Sequence, residues 1–188
     1  MSKTALLVID MLYAFVHPEG AVFYPENQAI VPVIRTVLDA CREAGCVIVF
    51  MQQRYRAGKL ENNLTTMRPC CLEGSGGENI IDDLPVQDTD YVIPKRRYSS
   101  FYGTDLDLVL REHGVNRVIL VGTKTNNCII ATAFDAHYRN YEIVVIKEGV
   151  ATRDETTQSI YLHDINRYLG QVINLNDALL ALKRGDWS

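Results

Sequence analysis

The chain alternates short apolar runs with segments whose apolar residues recur at helical spacing. Continuous runs of Val, Ile and Leu are typical of strands buried on both faces of a parallel sheet. Apolar residues that recur every three or four positions are typical of helices that pack one face on such a sheet. The runs predict strands at 4–9, 47–51, 90–93, 118–121, 143–146 and 172–174. The periodic segments predict helices at 29–44, 104–112, 156–168 and 176–183, and one that begins near residue 125.

This alternation of strands and helices predicts an α/β fold. Right-handed connections between parallel strands place helices on both faces of the sheet, so we expect a mainly parallel sheet between two helical layers. A length of 188 residues suits one well-packed domain and is short for two, so residues 1–188 are predicted to form a single domain. Residues 57–79 are irregular and polar, and we expect them either to close over a site or to meet another subunit.

The composition argues against several classes of function. The net charge is −4 and the basic residues are scattered, which is not typical of a nucleic-acid surface. No apolar run approaches the roughly 20 residues of a membrane span. The first four residues lead into a strand without the cleavage site of a signal peptide. We therefore expect a cytoplasmic protein that binds neither nucleic acid nor membrane.

The cysteines and histidines lack the spacing of a disulfide framework or a metal site. The five cysteines are an odd number with no C-x-x-C pair, and the four histidines are dispersed. The glycine cluster at 74–77 lacks the spacing of a phosphate-binding loop. The sequence therefore predicts no metal and no cofactor.

Two predicted strands end at residues that can carry chemistry. Asp10 ends the first strand, and Cys128 follows the fourth, in the first turn of a helix that Thr125 or Asn126 would cap. Ligands of open α/β sheets bind at the carboxyl ends of strands, and a helix start favours a thiolate over a thiol. Position alone leaves two other roles open, Asp10 as a turn residue and Cys128 as a small buried hydrophobe.

A third strand end carries three adjacent basic residues, 95–97. They could form a solvated face, or one of them could pair with the carboxylate of Asp10. In a parallel sheet the three strand ends would present Asp10, Lys95 and Cys128 on one edge. Periodicity predicts this shared edge but does not establish that the three side chains meet.

Three ordered motifs surround these strand ends. The first joins residues 6–11 (LLVIDM) to residues 15–18 (FVHP). The second is the run 95–106, KRRYSSFYGTDL. The third joins Gly122 to residues 125–129 (TNNCI) and 132–136 (TAFDA). Together they resemble the isochorismatase-like hydrolase superfamily from residue 4 to the terminal helix, and the second is close to that family's K-x-R-x-S-A-F-x-G-T-x-L pattern.

The resemblance implies a three-layer αβα fold of Rossmann-like topology and a catalytic triad of Cys128, Asp10 and Lys95. It also implies a non-proline cis peptide between Thr123 and Lys124, and an oxyanion hole formed by the backbone N–H groups of Lys124 and Cys128. Lys124 departs from the small or apolar residue that is usual in the family at this position. Its side chain either points away from the pocket or changes the charge of the pocket.

The chemistry that the resemblance implies is the hydrolysis of an amide through a thioester. Asp10 accepts the proton of Cys128, Lys95 holds the charge of Asp10 in place, and the sulfur attacks the amide carbonyl. Protonated Asp10 then donates to the departing amine, and water hydrolyses the thioester. We therefore expect a hydrolase of C–N bonds other than peptide bonds, in linear amides, whose partners are water and a small-molecule amide.

The branch of the superfamily is inferred from the residues after the second strand. Nicotinamidases carry a D-x-H…H metal cluster there, whereas this chain reads QQRYR at 52–56. True isochorismatases cleave a vinyl ether without needing the thiol that Cys128 supplies. These features predict a metal-free amidase that resembles carbamoylsarcosine, ureidoacrylate and biuret hydrolases and acts on a small carbamoyl or ureido amide. The alternatives are a vinyl-ether hydrolase and an inactive family member that serves as a binding or scaffold protein.

The substrate pocket and the assembly are less constrained by the sequence. Five residues are candidates for the pocket wall: Tyr13, Phe15, Arg54, Tyr102 and Asn127. Arg54 or Arg56 could bind a substrate carboxylate or carbonyl, or could instead lie in solvent or at a subunit contact. Because the family often forms homodimers or tetramers, we expect a homo-oligomer.

Overall fold

Six strands form one sheet within residues 3–187, the part of the chain that the computed structural model describes. The strands are β1 Lys3–Ile9, β2 Val47–Gln53, β3 Tyr91–Lys95, β4 Val115–Thr123, β5 Glu142–Ala151 and β6 Gln171–Ile173. Their order across the sheet is β3-β2-β1-β4-β5-β6, and every neighbouring pair is parallel. The predicted α/β fold with a parallel sheet is confirmed, and the six carboxyl ends lie at one edge.

Helices cover both faces of this sheet. They are α1 Tyr13–Val16, α2 Pro25–Ala29, α3 Val31–Glu43, α4 Leu106–Glu112, α5 Ile130–Tyr138, α6 Glu155–Tyr168 and α7 Leu175–Arg184. Helices α4, α5 and α6 pack on the face that receives Leu7 and Ile9, whereas α3 and α7 pack on the face that receives Leu6 and Val8. Successive side chains of a strand point to opposite faces, so one continuous apolar run supplies two cores. The result is the expected three-layer arrangement.

Four strands extend further at their carboxyl ends than their apolar runs predict, and one of them, β5, continues to Ala151. β2 continues to Gln53, β3 to Lys95 and β4 to Thr123. The parallel ladder pairs Gln53 with Lys95, so backbone pairing continues from the apolar residues into polar ones. Pro94 is tolerated in β3 because this is an edge strand, where one side of the backbone needs no donor. The extension makes Lys95 part of the sheet, rather than part of the loop that follows it.

The two longest connections contain little regular structure. The connection between β1 and α3 contains the short helices α1 and α2, and the segment between β2 and β3 has one 3₁₀ turn, Asn62–Thr65. A buried carboxylate holds this segment, because Glu61 pairs with Arg56 at 2.8 Å and with Arg96 at 3.3 Å. Within residues 3–187, no helix combines the length and the apolar character needed to cross a membrane.

The two central strands approach each other most closely at Gly122. Ile9 of β1 pairs with Gly122 of β4, and a Cβ at position 122 would lie 2.0 Å from the carbonyl oxygen of Ile9. Gly122 also has a φ of +116°, a conformation that residues with a side chain rarely adopt. Glycine at this position therefore lets the end of β1 lie beside the segment that follows β4.

Candidate active site

Asp10 is fixed at the end of β1 by its backbone and its side chain together. Its N–H donates to the carbonyl oxygen of Met51 at 3.0 Å, and its Oδ1 accepts from the N–H of Gln53 at 2.9 Å. Its φ of 56° lies in the left-handed region, which aspartate tolerates better than most residues. The side chain is almost fully buried, at 1% exposure, so its charge requires a partner.

Lys95 supplies that partner from the other side of β2. Its Nζ lies 2.7 Å from Oδ2 of Asp10 and donates to Oε1 of Gln53 at 2.9 Å. The same ammonium donates to Sγ of Cys128 at 3.5 Å and to the carbonyl oxygen of Arg97 at 3.2 Å. The structure thus brings the three side chains from the three strand ends into one buried cluster.

Cys128 reaches this cluster from a π-helical turn, Thr125–Ile129, which precedes α5. The prediction that Thr125 or Asn126 caps a helix is wrong, because Lys124 occupies the cap position without a side-chain hydrogen bond. The amide oxygen of Asn126 instead accepts from the hydroxyl of Thr152 at 2.8 Å. The wider turn aims the cysteine back toward the sheet edge, where it is 8% exposed.

Burial determines the charge state of the resting thiol. Removal from water raises the pKa of Cys128 to about 12, the Lys95 ammonium lowers this pKa, and the Asp10 carboxylate raises it. Burial lowers the pKa of Lys95, but the neighbouring Asp10 carboxylate and Cys128 sulfur more than offset this and raise it, so Lys95 stays protonated. The preference of a helix start for a thiolate does not offset this burial in the resting site. The thiol keeps its proton until a base removes it.

We expect the alkylation of Cys128 by iodoacetamide to accelerate about tenfold per pH unit between pH 7 and pH 10, without a plateau. The reason is that the reactive thiolate stays a minor form below a pKa of about 12. Cys46 is the internal control, because a hydrogen bond from Cys41 lowers the pKa of Cys46, so its rate should level off at lower pH. Peptide mass spectrometry after timed quenching measures both rates, and a plateau for Cys128 below pH 8 would contradict the buried-thiol description.

Two members of the cluster, Asp10 and Cys128, line a cavity of about 170 Å³. The cavity is lined by Asp10, Phe15, Val22, Tyr24, Gln53, Tyr55, Met67, Cys70, Tyr98, Thr123, Lys124, Asn127, Cys128 and Arg153. Two of the five predicted wall residues, Phe15 and Asn127, are among them. The volume suits a small molecule rather than a polymer.

The other three predicted wall residues lie elsewhere. Tyr13 stacks on His17 with ring centroids 4.2 Å apart and donates to Glu19, on the outer side of α1. Arg54 forms an ion pair with Glu73. Tyr102 is 66% exposed. Arg56, the other arginine considered for a clamp, pairs with Glu61 (2.8 Å).

Several cavity residues were not predicted from the sequence, although some left a signal. Gln53 and Tyr55 alternate with Arg54, so the period of a strand directs them to the opposite side from Arg54. Arg153 was missed because β5 runs to Ala151, beyond its predicted end at residue 146. Tyr24 lies in the connection after β1, but its hydrogen-bond partner is 99 positions away in the chain, so no local pattern marks it.

Two cations flank Tyr24 at the rim of the cavity. The ammonium of Lys124 lies 5.8 Å from the centre of the Tyr24 ring, and the guanidinium carbon of Arg153 lies 5.5 Å from it. Burial and then the nearby charge of Arg153 lower the pKa of Lys124. Neither cation takes part in an ion pair within residues 3–187. Lys124 therefore faces the pocket, and the rim carries positive charge.

A comparison with protein families identifies the fold and the site together. The isochorismatase domain model matches residues 4–177, which include all three clustered side chains. The chain belongs to the isochorismatase-like hydrolase superfamily. The peptide bond between Thr123 and Lys124 is cis, at the position that the resemblance implies. Within residues 3–187, no three His, Cys, Asp or Glu side chains are grouped as ligands for a metal ion.

Named relatives within the isochorismatase-like superfamily include amidases. The ureidoacrylate amidohydrolase RutB of Stutzerimonas stutzeri is 28% identical over 93% of this chain and 81% of that protein. The N-carbamoylsarcosine amidase of Thermoplasma acidophilum is 32% identical, with a TM-score of 0.84 over 93% of this chain and 97% of that chain.

Two further solved structures widen the range of activities. An isochorismatase-like hydrolase from Alkaliphilus metalliredigens has a TM-score of 0.90 and 30% identity over 96% of this chain and 99% of that one. A pyrazinamidase/nicotinamidase from Streptococcus mutans has a TM-score of 0.86 and 29% identity over 91% of this chain and 100% of that one. Membership of the isochorismatase-like superfamily thus makes the chain a hydrolase and leaves its substrate to be inferred.

Proposed function

We propose that the protein is a cysteine-dependent amidohydrolase that cleaves a C–N bond of a small linear carbamoyl or ureido amide bearing a carboxylate. The observation that carries this proposal is that a buried thiol and a buried carboxylate line a small cavity and both contact the buried ammonium of Lys95. Lys124 and Arg153, which form no ion pair within the described part of the chain, lie at the cavity and support a carboxylate on the substrate.

In the first half of the reaction, Asp10 removes the proton of the Cys128 thiol as the sulfur attacks the amide carbonyl. Lys95 keeps Asp10 ionised until that moment, because its ammonium lies 2.7 Å from the carboxylate. The backbone N–H groups of Lys124 and Cys128 stabilise the oxyanion, each by roughly 3 kcal/mol. Asp10 then protonates the departing nitrogen, and a thioester remains.

In the second half, water hydrolyses the thioester. Asp10 is again a carboxylate after it has protonated the leaving group, so it accepts a proton from the attacking water. The tetrahedral intermediate expels the sulfur, which recovers a proton from Asp10, and the acid product leaves. The high pKa of the buried thiol suits this cycle, because the sulfur is charged only while it reacts.

The rim of the cavity favours an anionic substrate over a neutral one. Lys124 and Arg153 both contact the ring of Tyr24 and repel each other. A carboxylate between them would relieve this repulsion and form hydrogen bonds with the guanidinium of Arg153. The names of two relatives, ureidoacrylate amidohydrolase and N-carbamoylsarcosine amidase, describe amides of this acidic kind. By contrast, Gln53 and Tyr55 occupy the wall after β2 where nicotinamidases carry their metal cluster.

Ammonia release from N-carbamoylglycine and from its methyl ester tests the proposal, because the two differ only in the carboxylate. We expect the acid to be the better substrate, and Arg153→Gln to raise its KM about 10- to 100-fold, the range for losing a charge-assisted hydrogen bond. Arg167→Gln is the matched control, because Arg167 lies on α6 outside the cavity. Equal hydrolysis of acid and ester, unaffected by Arg153→Gln, would remove the carboxylate from the proposal.

A further inference from the structure

Tyr24 is a buried aromatic residue of the cavity to which the chemistry above gives no role. It is 7% exposed and precedes α2 at the cap position, where its side chain makes no capping hydrogen bond. Its hydroxyl instead lies 2.6 Å from Oγ1 of Thr123, at the end of β4. A contact between residues 99 positions apart therefore joins the loop after β1 to the strand that leads into Cys128.

The hydroxyl of Tyr24 acts on the residue next to a proposed oxyanion donor. Thr123 is buried and directly precedes Lys124, whose N–H faces the reacting carbonyl in the proposed reaction. Burial raises the pKa of Tyr24 to about 12, so the phenol stays neutral and keeps its hydrogen bond across the working pH range. Loss of this bond would free the Thr123 side chain and loosen the position of the following N–H.

The ring of Tyr24 acts on the rim of the cavity. Its face attracts the ammonium of Lys124 and the guanidinium of Arg153, whose centres lie 5.8 and 5.5 Å from the ring centroid. Asp154 attracts Lys124 at longer range, but its carboxylate accepts from the N–H of Thr157 as the cap of α6. The ring therefore sets the spacing between two cations that would otherwise move apart.

We infer that Tyr24 is a positioning residue with two separable actions, one through its hydroxyl and one through its ring. The hydroxyl holds the oxyanion donor through Thr123 and so affects kcat. The ring holds Lys124 and Arg153 and so affects the KM of an anionic substrate. This inference rests on the proposed amidohydrolase function.

A double-mutant cycle tests the action of the hydroxyl. We expect Tyr24→Phe to lower kcat for N-carbamoylglycine about 10-fold and to change KM less than about twofold, because the ring remains. Thr123→Val should have a similar effect, and the double variant should be no slower than Thr123→Val alone. Tyr141→Phe is the control, since Tyr141 is also a buried tyrosine whose hydroxyl makes one hydrogen bond, to Asp107, away from the cavity. The action of the hydroxyl would be overturned if the kcat losses of the two single variants multiply in the double variant. It would also be overturned if Tyr24→Phe lowers the melting temperature but leaves kcat unchanged.

Substitution of the ring tests the second action. Tyr24→Leu should raise the KM of N-carbamoylglycine about 10-fold without raising that of its methyl ester, because only the acid pairs with the two cations. Should Tyr24→Leu fail to fold, pentafluorophenylalanine at position 24 retains the shape of Phe and reverses the charge distribution of the ring. Equal KM changes for acid and ester in either variant would overturn this action.

A measurement without turnover separates this inference from the proposed function. Iodoacetate and iodoacetamide alkylate a thiol in the same way but differ in charge. Because the rim is cationic, the ratio of the iodoacetate rate to the iodoacetamide rate should be higher at Cys128 than at Cys46. Tyr24→Leu should lower the ratio at Cys128 about threefold or more, and Tyr24→Phe should leave it unchanged. If wild-type protein hydrolyses no amide, the proposed function and the action of the hydroxyl on kcat both fail, whereas this ratio still decides the action of the ring.

Discussion

Lys95→Met is expected to lower the free energy of unfolding by about 3–5 kcal/mol and to abolish amide hydrolysis. The substitution removes the ammonium that lies 2.7 Å from Asp10 and leaves a carboxylate buried without a cation. Such a group must either stay ionised at high cost or take up a proton, and in the second case it no longer serves as a base. Chemical denaturation measures the loss of stability, and ammonia release measures the loss of activity.

The double variant Asp10→Asn/Lys95→Met separates the two effects. It removes both charges together, so we expect it to recover most of the lost stability but none of the activity. A wild-type melting curve for Lys95→Met would mean that the ion pair does not hold the site together. Full activity in the double variant would exclude Asp10 as the base.

The second large effect is expected at Cys128. Cys128→Ser and Cys128→Ala should each lower kcat for the acidic amide by about 10⁴-fold or more, because the nucleophile is lost while the remaining donors still bind the substrate. The serine variant retains the size and hydrogen-bonding position of the thiol, so its unfolding free energy should stay within about 1 kcal/mol of wild type. Cys46→Ser is the matched control, because Cys46 lies in the connection before β2, away from the cavity.

The alternative functions predict different results for the same variants. A vinyl-ether hydrolase would retain its activity in Cys128→Ala as long as Asp10 is intact. A binding or scaffold protein would release no ammonia even as wild type. Undiminished amide hydrolysis in both Cys128 variants would end the proposal of a thioester.

The sequence predicts the sheet well because each buried strand carries its own signal. The apolar run that ends at Asp10 and the run before Gly122 mark the two central strands, and the motifs mark the residues that follow them. What periodicity could not establish was the convergence of Asp10, Lys95 and Cys128. In the structure these side chains meet because β3 continues through Lys95, which pairs with Gln53 of β2. The ammonium of Lys95 is therefore held by the sheet, where it donates to Gln53, and does not lie in a loop.

The pocket wall was harder to predict because it depends on contacts between distant segments. Arg54 and Gln53 are neighbours in sequence, yet only Gln53 faces the cavity, since successive residues of a strand alternate. Tyr24 meets Thr123 across 99 positions, and no local pattern encodes such a pair. The charge state of the resting Cys128 depends on contacts of the same kind, because the helix start is visible in the sequence but the packing that dehydrates the sulfur is not.

The edge position of β3 links the catalytic cluster to local unfolding. This strand pairs only with β2, and Tyr91, Val92 and Pro94 are exposed along it. Segments with few buried contacts and exposed backbone hydrogen bonds open at a lower free energy than the core of a protein, so β3 is expected to open more readily than the central strands. Opening of β3 alone would withdraw the Lys95 ammonium while β1 and β4 stay intact, so warming would inactivate the protein before its core melts.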